Sequence, residues 1–289
     1  MSEPFGPELT SIRSPKVKAA RQLAKRALRL RARSFLAEGP QAVGEALASG
    51  GVVSELFITA AARARHSELA DQAARQGAHV RAVSGEVMAG LAQTITPQGV
   101  LAVCRYVDIP LARLAAAAPR LVAILANVRD PGNAGTVLRT ADAAGADGVI
   151  FSDASVDPYN SKCVRATAGS IFHLPLVAGA PVAEAVKAMR EAGLRIVAAD
   201  GRAGRSLDEA LPRGPGEPGG PLGQPTAWLF GNEAWGLPAD VLALADDVVA
   251  VPIYGKAESL NLAAAAAVCL YASAHASRAS RAPSDRVQR

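Results

Sequence analysis

The sequence predicts an α/β protein built from two domains, and three observations lead to this fold class. Short apolar runs alternate with helix-like patterns along most of the chain, which is typical of sheets covered by helices. The chain has 289 residues, more than one ordinary domain needs. Because 50% of the residues are hydrophobic and 20% are charged, the chain can form packed cores, and disorder along its whole length is excluded.

The first half of the chain predicts a small α/β domain. It begins with a basic helical pattern, and Ser84 is the expected N-cap of its last helix. Helices are predicted at residues 16–28, 41–48, 67–76 and 84–91, and strands at 35–38, 53–59, 78–83 and 99–107. Residues 110–119 are rich in alanine and bounded by prolines, so we interpret them as a linker.

The second half predicts a larger domain with a parallel sheet. Residues 121–126 form a continuous apolar run, the pattern of a strand buried on both faces. Strands are predicted at 121–126, 148–151, 171–177, 194–199, 227–230 and 248–252, and helices at 134–144, 161–168, 182–192, 238–243 and from 260 onward. The Gly- and Pro-dense residues 214–225 are expected to form a loop.

Composition argues against several classes of protein. Cys104, Cys163 and Cys269 lie far apart with no CxxC pair, which argues against a disulfide scaffold or a zinc finger and fits a reducing cytosol. The N-terminus lacks an apolar signal segment, and the most apolar stretch, 262–274, is shorter than the about 20 residues of a membrane span. The four histidines are scattered. We therefore expect a cytoplasmic protein with no membrane partner and no metal site.

Positive charge is concentrated at the two ends of the chain. Residues 1–40 carry a net charge of +6 and residues 277–289 a net charge of +3, whereas the residues between them carry −4. Basic ends on a mildly acidic body are common in nucleic-acid-binding proteins, but a solvated helix face and tail fit this charge pattern equally well. The N-terminal basic cluster comprises Arg13, Lys16, Lys18, Arg21, Lys25, Arg26, Arg29, Arg31 and Arg33.

Three polar segments follow predicted strands of the second domain. The first, residues 127–135, is a Gly-containing turn before a helix that carries Arg139, and such a turn can present backbone N–H groups to an anion. It has neither the GxGxxG pattern nor the ending of a P-loop, so a dinucleotide site is poorly supported. Taken alone, Arg139 fits an outward-pointing surface residue better than an anion ligand.

The other two segments are residues 229–238 and 251–262. Ordinary helix capping is the default explanation for Glu233, Ser259 and Asn261, which stand near helix starts. The functional alternative is that Gly231 lets a ligand approach the backbone closely and that the polar side chains face a reacting hydroxyl.

In this order and spacing, the three segments resemble the three signature motifs of the SpoU/TrmH family of SPOUT methyltransferases. They read NVRDPGNAG followed by Arg139, LFGNEAWGL, and VPIYGKAESLNL, and the stretch DPYNSKCVRATAG also matches the family pattern. The resemblance covers residues 119–276. The first domain is similar to the L30e-like RNA-binding domain of family members that modify rRNA.

The resemblance implies a C-terminal SPOUT parallel sheet with a deep trefoil knot, an exception to the general absence of knots, and a smaller N-terminal L30e-like α/β domain. The implied boundaries are 1–108 for the RNA-binding domain, 109–119 for the linker, 120–277 for the catalytic domain and 278–289 for a basic tail. It also implies a homodimer with active sites near the subunit interface. The implied cofactor is S-adenosylmethionine, held largely by backbone groups, so that no acidic ribose-binding residue is required. The implied cofactor-binding residues are Gly231, Val251, Ile253 and Leu260.

The implied reaction is methyl transfer to the 2′-hydroxyl of a ribose in RNA, with 23S rRNA the favoured substrate, in a housekeeping or an antibiotic-resistance role. Arg139 is implied as the principal catalytic residue. We favour stabilisation of the developing alkoxide over proton removal, because the pKa of a guanidinium exceeds about 12. The base stays unassigned. Asn133, Glu233, Ser259 and Asn261 are implied to position the ribose and Arg139. The predicted RNA-binding residues are Arg13, Lys16, Lys18, Lys162 and Arg165.

Three alternatives stay open at this point. A tRNA ribose methyltransferase would carry the same motifs. A non-catalytic RNA-binding protein on the same scaffold is disfavoured, because every expected motif residue is present. A nucleotide-dependent oxidoreductase is disfavoured by the missing GxGxxG pattern.

Overall fold

The computed structural model describes residues 7–211 and 221–279, and the chain divides into two compact units. The first unit comprises Met1–Val107 and Asp157–His173, and the second comprises Asp108–Val156 and Leu174–Arg289. Most of the predicted loop at 214–225 and of the predicted basic tail at 278–289 lies outside the described residues.

The described residues alternate between strands and helices in both units. The strands are β1 (Ser34–Glu38), β2 (Val53–Ile58), β3 (His79–Ala82), β4 (Val100–Arg105), β5 (Leu121–Leu125), β6 (Gly148–Ser152), β7 (Leu176–Ala180), β8 (Arg195–Ala199), β9 (Thr226–Phe230) and β10 (Asp247–Val249). The helices are α1 (Pro15–Gln22), α2 (Arg26–Ala32), α3 (Pro40–Ala48), α4 (Ala60–Arg65), α5 (Ser67–Arg75), α6 (Gly85–Leu91), α7 (Leu111–Ala116), α8 (Pro131–Ala144), α9 (Ser161–Thr167), α10 (Val182–Glu191), α11 (Leu207–Ala210), α12 (Ala239–Leu242) and α13 (Leu262–Ala279). Short 3₁₀ helices span Ser170–Phe172 and Pro221–Gly223.

The first unit contains a four-stranded mixed sheet in the order β1-β4-β2-β3. Strand β4 pairs antiparallel with β1 and β2, and β2 pairs parallel with β3. All residues of β4 except the last are buried, because helices cover both faces of the sheet. Val17 of α1 and Met88 of α6 pack against Leu101 in one such layer. Ser84 caps α6 as predicted, since its hydroxyl accepts a hydrogen bond from the Val87 N–H.

The predicted helix at 16–28 is wrong, because the structure breaks it into α1 and α2. The break is stabilised by Arg29, whose guanidinium donates hydrogen bonds to the carbonyls of Leu23 and Ala24 at 2.9 and 2.8 Å. The other edge of the guanidinium donates twice to one carboxylate oxygen of Asp157, at 2.6 and 3.1 Å. A side chain 128 residues away therefore holds the break, which local helix propensity could not reveal.

A segment from the second half of the chain, Asp157–His173, completes the first unit. The ring of Tyr159 stacks on Tyr106 with centroids 3.7 Å apart and lies 4.8 Å from Phe35. Its hydroxyl accepts a hydrogen bond from the Val107 N–H at 2.9 Å. The ring of Phe172 also stacks on Phe35, with ring centroids 5.8 Å apart. These aromatic rings anchor the segment to the core of the first unit.

The second unit contains a six-stranded sheet in the order β10-β8-β9-β5-β6-β7, in which all neighbouring strands are parallel. Strands β5, β6 and β9 are buried at every residue, as expected for a sheet covered on both faces. Helix α13 packs on α8 and is tied to β9 where the Trp228 indole donates to the Ser273 hydroxyl at 2.9 Å. The predicted α/β class and the parallel sheet are confirmed, while the knot stays a prediction.

Two other expectations differ from the structure. The stretch predicted as a linker contains α7, whose Leu114 is buried against the core of the second unit. The strand predicted at 171–177 is instead a 3₁₀ turn followed by β7, which begins at Leu176. Pro175 explains the delay, because it has no backbone N–H for the sheet.

Candidate functional site

The motif segments meet at the carboxyl-terminal edge of the parallel sheet. The loops that follow β5, β9, β8 and β10 all leave the sheet at this edge, since parallel strands end on the same side. In open parallel sheets this edge is where ligands bind. The loop after β9 is tied to the loop after β5, because the buried Asn232 amide donates to the Asn127 carbonyl at 3.1 Å.

The loop after β9 is a tight turn closed by its own backbone. Asn232 and Gly236 exchange two backbone hydrogen bonds of 3.0 and 2.9 Å, and Gly236 adopts a φ of +72°. A Cβ on Gly231 would lie 2.5 Å from the carbonyl carbon of Gly236. The chain's own backbone contact therefore requires glycine at position 231, and the predicted ligand contact of Gly231 stays a prediction.

A polar network joins three of the predicted catalytic residues. The Asn133 amide donates to the Glu233 carboxylate at 3.0 Å, and the Asn261 amide donates to the Asn133 carbonyl oxygen at 3.0 Å. Asp130 caps α8 through the Asn133 N–H at 2.8 Å, and Asn261 caps α13 through the Ala263 N–H at 2.9 Å. The network therefore links the starts of two packed helices to the loop after β9.

Arg139 and Ser259 stand apart from this network. Arg139 lies two turns into α8, is exposed, and makes no hydrogen bond or ion pair to any residue in the described part of the chain. Ser259 is exposed on the loop before α13. The structure thus joins Asn133, Glu233 and Asn261, and leaves Arg139 free to meet a partner from solvent.

A cavity of about 670 Å³ opens at this edge of the sheet, within the size range of small-molecule sites. Its wall comes from the ends of β8, β9 and β10 and from the loop before α13. All four predicted cofactor-binding residues lie on this wall, together with two of the predicted catalytic residues: Gly231, Val251, Ile253, Leu260, Glu233 and Ser259.

Two charged residues on the same wall were missed by sequence analysis. Arg202 holds Asp200 through two side-chain hydrogen bonds of 3.0 and 2.8 Å and through its backbone N–H at 2.8 Å. The Arg202 side chain is 70% exposed, whereas that of Asp200 is only 6% exposed. The hydrogen bond from Arg202 lowers the pKa of Asp200 despite its burial. An Asp directly after a buried parallel strand was the available signal.

The predicted RNA-binding residues all belong to the first unit. Arg13, Lys16 and Lys18 are exposed near α1, and Lys16 lies 3.9 Å from Glu55. Lys162 and Arg165 are on α9, and Arg165 lies 3.9 Å from Glu38. Eight members of the N-terminal basic cluster are exposed, but the ninth, Arg29, is buried and paired with Asp157, so its predicted part in phosphate attraction is wrong.

The described residues also bear on thiol chemistry, metal binding and membrane spans. Cys104 and Cys269 are buried, and burial raises the thiol pKa of both, to about 12 for Cys269, which disfavours the reactive thiolate. Among the described residues, no group of three or more His, Cys, Asp or Glu side chains could hold a metal ion. Across residues 7–211 and 221–279, every helix is too short or too polar to span a bilayer.

Comparison with known proteins gives the class to which this fold and site belong. The sequence profile of the SpoU rRNA methylase family matches residues 120–271, and that of the MRM3-like substrate binding domain matches residues 14–102. The chain therefore belongs to the SpoU rRNA methylase family. The family resemblance predicted from the motif order is confirmed.

Individual relatives extend over nearly the whole chain. The 23S rRNA (guanosine(2553)-2′-O)-methyltransferase RlmP of Bacillus subtilis is 34% identical over 91% of this chain and 98% of its own length. The AdoMet-bound rRNA methyltransferase from Sinorhizobium meliloti has a TM-score of 0.80 at 32% identity, covering 93% of this chain and 97% of that one. The SpoU methyltransferase AviRb from Streptomyces viridochromogenes has a TM-score of 0.74 at 28% identity, covering 92% and 98%.

Proposed function

We propose that this protein transfers a methyl group from S-adenosylmethionine to the 2′-hydroxyl of a ribose in 23S rRNA, in the cytoplasm. The observation that carries the proposal is the Asn133–Glu233–Asn261 network. Glu233 lines the cavity, and its hydrogen bond connects it to Asn133 and through Asn133 to the exposed Asn261. The relatives named as 23S rRNA 2′-O-methyltransferases support the substrate.

The cavity fits S-adenosylmethionine in size and in lining. It offers glycine and apolar residues for the nucleoside, namely Gly231, Val251, Ile253 and Leu260, and polar groups at Glu233 and Ser259. When bound, the cofactor supplies a methyl group that its sulfonium centre already activates. The protein must then hold the ribose hydroxyl in line with that methyl group and stabilise the charge on the hydroxyl oxygen.

We assign the stabilisation of that charge to Arg139. Its guanidinium is exposed and makes no hydrogen bond within the described residues, so an RNA phosphate or a developing alkoxide can take its donors without displacing an internal partner. Glu233 and Asn261 hold the two sides of the Asn133 amide, which fixes its orientation. In this assignment Asn133, Glu233, Asn261 and Ser259 position the ribose.

In this proposal the first unit binds the RNA. The exposed members of the N-terminal basic cluster supply general phosphate attraction, and Lys162 and Arg165 on α9 orient the target nucleotide. The match to the MRM3-like substrate binding domain over residues 14–102 supports RNA binding by the N-terminal part of this unit, whereas Lys162 and Arg165 lie within the span of the SpoU rRNA methylase profile, residues 120–271.

The active form is a homodimer in this proposal. Helix α13 exposes Val268 and Tyr271 by 43% each, next to the helix that carries Arg139. An apolar face beside a catalytic residue favours a second copy as its cover. Val268→Glu should make the protein monomeric, as measured by light scattering, and should reduce turnover. A wild-type protein that is already monomeric at working concentration would contradict the dimer.

The function is tested by methyl transfer to defined RNAs. Protein is incubated with radiolabelled S-adenosylmethionine and either 23S rRNA or tRNA from cells that lack its gene, and 2′-O-methylation is mapped by resistance of the backbone to alkali. We expect one modified ribose in 23S rRNA. Label in tRNA would favour the tRNA enzyme, and cofactor binding without transfer to either RNA would favour the non-catalytic alternative.

A further inference from the structure

Asp200 occupies a position in the cavity that neither the motifs nor the family resemblance assigned. It directly follows β8, and it lies on the wall of the main cavity and of a smaller one of about 250 Å³ beside it. Its carboxylate faces the loop after β9, because a Cβ built on Gly236 would lie 3.6 Å from the Asp200 Oδ2 atom. The carboxylate is therefore buried at the boundary between the cavity and the tight turn.

The strand order assigns Asp200 to one end of the cavity. Asn133 follows β5 and Glu233 follows β9, and the network they form is where the reacting methyl group must lie in the proposed reaction. Strand β8 lies on the other side of β9 from β5. A cofactor whose sulfur faces the network therefore directs its nucleoside toward the ends of β8 and β10.

The hydrogen bonds of Asp200 leave it with acceptor capacity. A carboxylate has about four acceptor positions, and Arg202 uses three of them through Nε, a terminal nitrogen and its backbone N–H. The guanidinium also keeps the carboxylate ionised, since it lowers the pKa of Asp200. An ionised carboxylate at the end of a parallel strand is the group that binds ribose hydroxyls in other nucleotide-binding sheets.

We propose that Asp200 accepts a hydrogen bond from a ribose hydroxyl of the bound cofactor, and that Arg202 is the positioning residue that holds its carboxylate. This inference rests on the proposed cofactor. The site then depends less on backbone groups than the family resemblance implies, because one side chain accepts a hydrogen bond from the ribose.

The test compares ligands rather than activities. Calorimetry measures binding of S-adenosylhomocysteine and of its 2′-deoxy and 3′-deoxy analogues to the wild type, Asp200→Asn and the exposed control Asp240→Asn. A hydrogen bond to an ionised acceptor predicts that removing the bound hydroxyl weakens wild-type binding at least about tenfold. Asp200→Asn should weaken the binding of S-adenosylhomocysteine by a similar factor. The variant should bind S-adenosylhomocysteine and the analogue that lacks the bound hydroxyl with equal affinity.

Arg202→Gln provides the test of positioning. Arg202→Gln should weaken the binding of S-adenosylhomocysteine several-fold. As the pH is lowered, the variant should lose this binding at a higher pH than the wild type does. The sign follows because Asp200 without Arg202 loses the cause of its lowered pKa, so its carboxylate is protonated at higher pH. Asp240→Asn should leave all three affinities unchanged.

The outcomes separate the inference from the function on which it rests. If the wild type binds the parent and both deoxy analogues equally well, Asp200 does not bind the ribose, while the proposed function stands. If the wild type does not bind S-adenosylhomocysteine at all, the proposed function fails as well. Should Asp200→Asn lose its thermal unfolding transition, the analogue series on the wild type decides alone.

Discussion

Arg29 in the first unit and Arg139 in the second are the same kind of side chain in opposite environments. Arg29 is 4% exposed and donates to two carbonyls and to Asp157, so each edge of its guanidinium is occupied. Arg139 is exposed and makes no hydrogen bond or ion pair among the described residues. Burial and internal partners therefore distinguish an arginine that holds the fold from one that is available to a ligand.

The two units repeat this contrast with their other polar groups. In the first unit the side chain of Asp157 is 9% exposed and Tyr159 is buried, and both bind the chain's own backbone or side chains. In the second unit Asn133, Glu233 and Asn261 bind one another at an exposed edge beside a cavity. The first arrangement stabilises a core, whereas the second keeps polar groups in place for a molecule that arrives from outside.

The largest expected effect is on stability and comes from Arg29→Ala. It leaves the Asp157 carboxylate buried without its cation, and removing one partner of a buried pair costs about 3–5 kcal/mol. The free energy of unfolding in denaturant measures this loss. Arg31→Ala, an exposed change on the same helix, is the control and should stay within about 0.5 kcal/mol of the wild type. Equal stability of the two variants would remove the contrast between the arginines.

Arg139→Ala should produce the reverse pattern. Turnover should fall by about 10²–10³-fold, the usual effect of removing a donor that stabilises developing charge. The free energy of unfolding and the affinity for S-adenosylmethionine should stay close to wild type, because Arg139 is exposed and is absent from the cavity wall. Single-turnover methylation and calorimetry provide the measurements, and near wild-type turnover would show that another group stabilises the charge.

Gly231→Ala should reduce both the stability of the protein and its affinity for the cofactor. The added Cβ would meet the backbone of Gly236 at 2.5 Å, so the turn must shift, at a cost of about 1–3 kcal/mol. Cofactor affinity should fall with it, since the same turn lines the cavity. Gly204→Ala is the matched control, because a Cβ there meets nothing within 4 Å and the residue is not on the cavity wall. Weaker cofactor binding with full stability would favour the ligand contact predicted for Gly231 over the backbone contact as the reason for glycine there.

The smallest effect on the fold should come from the paired change Lys18→Gln and Arg21→Gln. Both residues are exposed on α1, so the free energy of unfolding should change by less than about 0.5 kcal/mol. Each lost phosphate contact should reduce the slope of log affinity against log salt by about 0.7–0.9. Filter binding of 23S rRNA fragments over a range of salt concentrations measures the slope. An unchanged slope would show that these charges form only a solvated helix face.

Sequence reasoning succeeded where local patterns decide structure. The apolar run at 121–126 predicted a doubly buried strand, and Ser84 predicted a helix start, because both signals act over a few residues. It failed where distant residues decide, as in the helix broken by Arg29 and Asp157. The site follows the same division: motif order pointed to Asn133, Glu233 and Asn261, yet their contacts span 100 and 128 residues. Asp200 was missed because its partner and its cavity exist only in the folded chain.

The segment Asp157–His173 has a consequence for the order in which the protein can be made. The last strand of the first unit ends at Arg105, but Tyr159 and Phe172 of its aromatic core are synthesised much later, after β5, α8 and β6. We therefore expect the core of the N-terminal unit to close during translation only after this segment has left the ribosome. A gene fragment that stops at residue 108 would encode a unit without that segment, and its recombinant product should expose Phe35 and Tyr106 and be prone to proteolysis and aggregation.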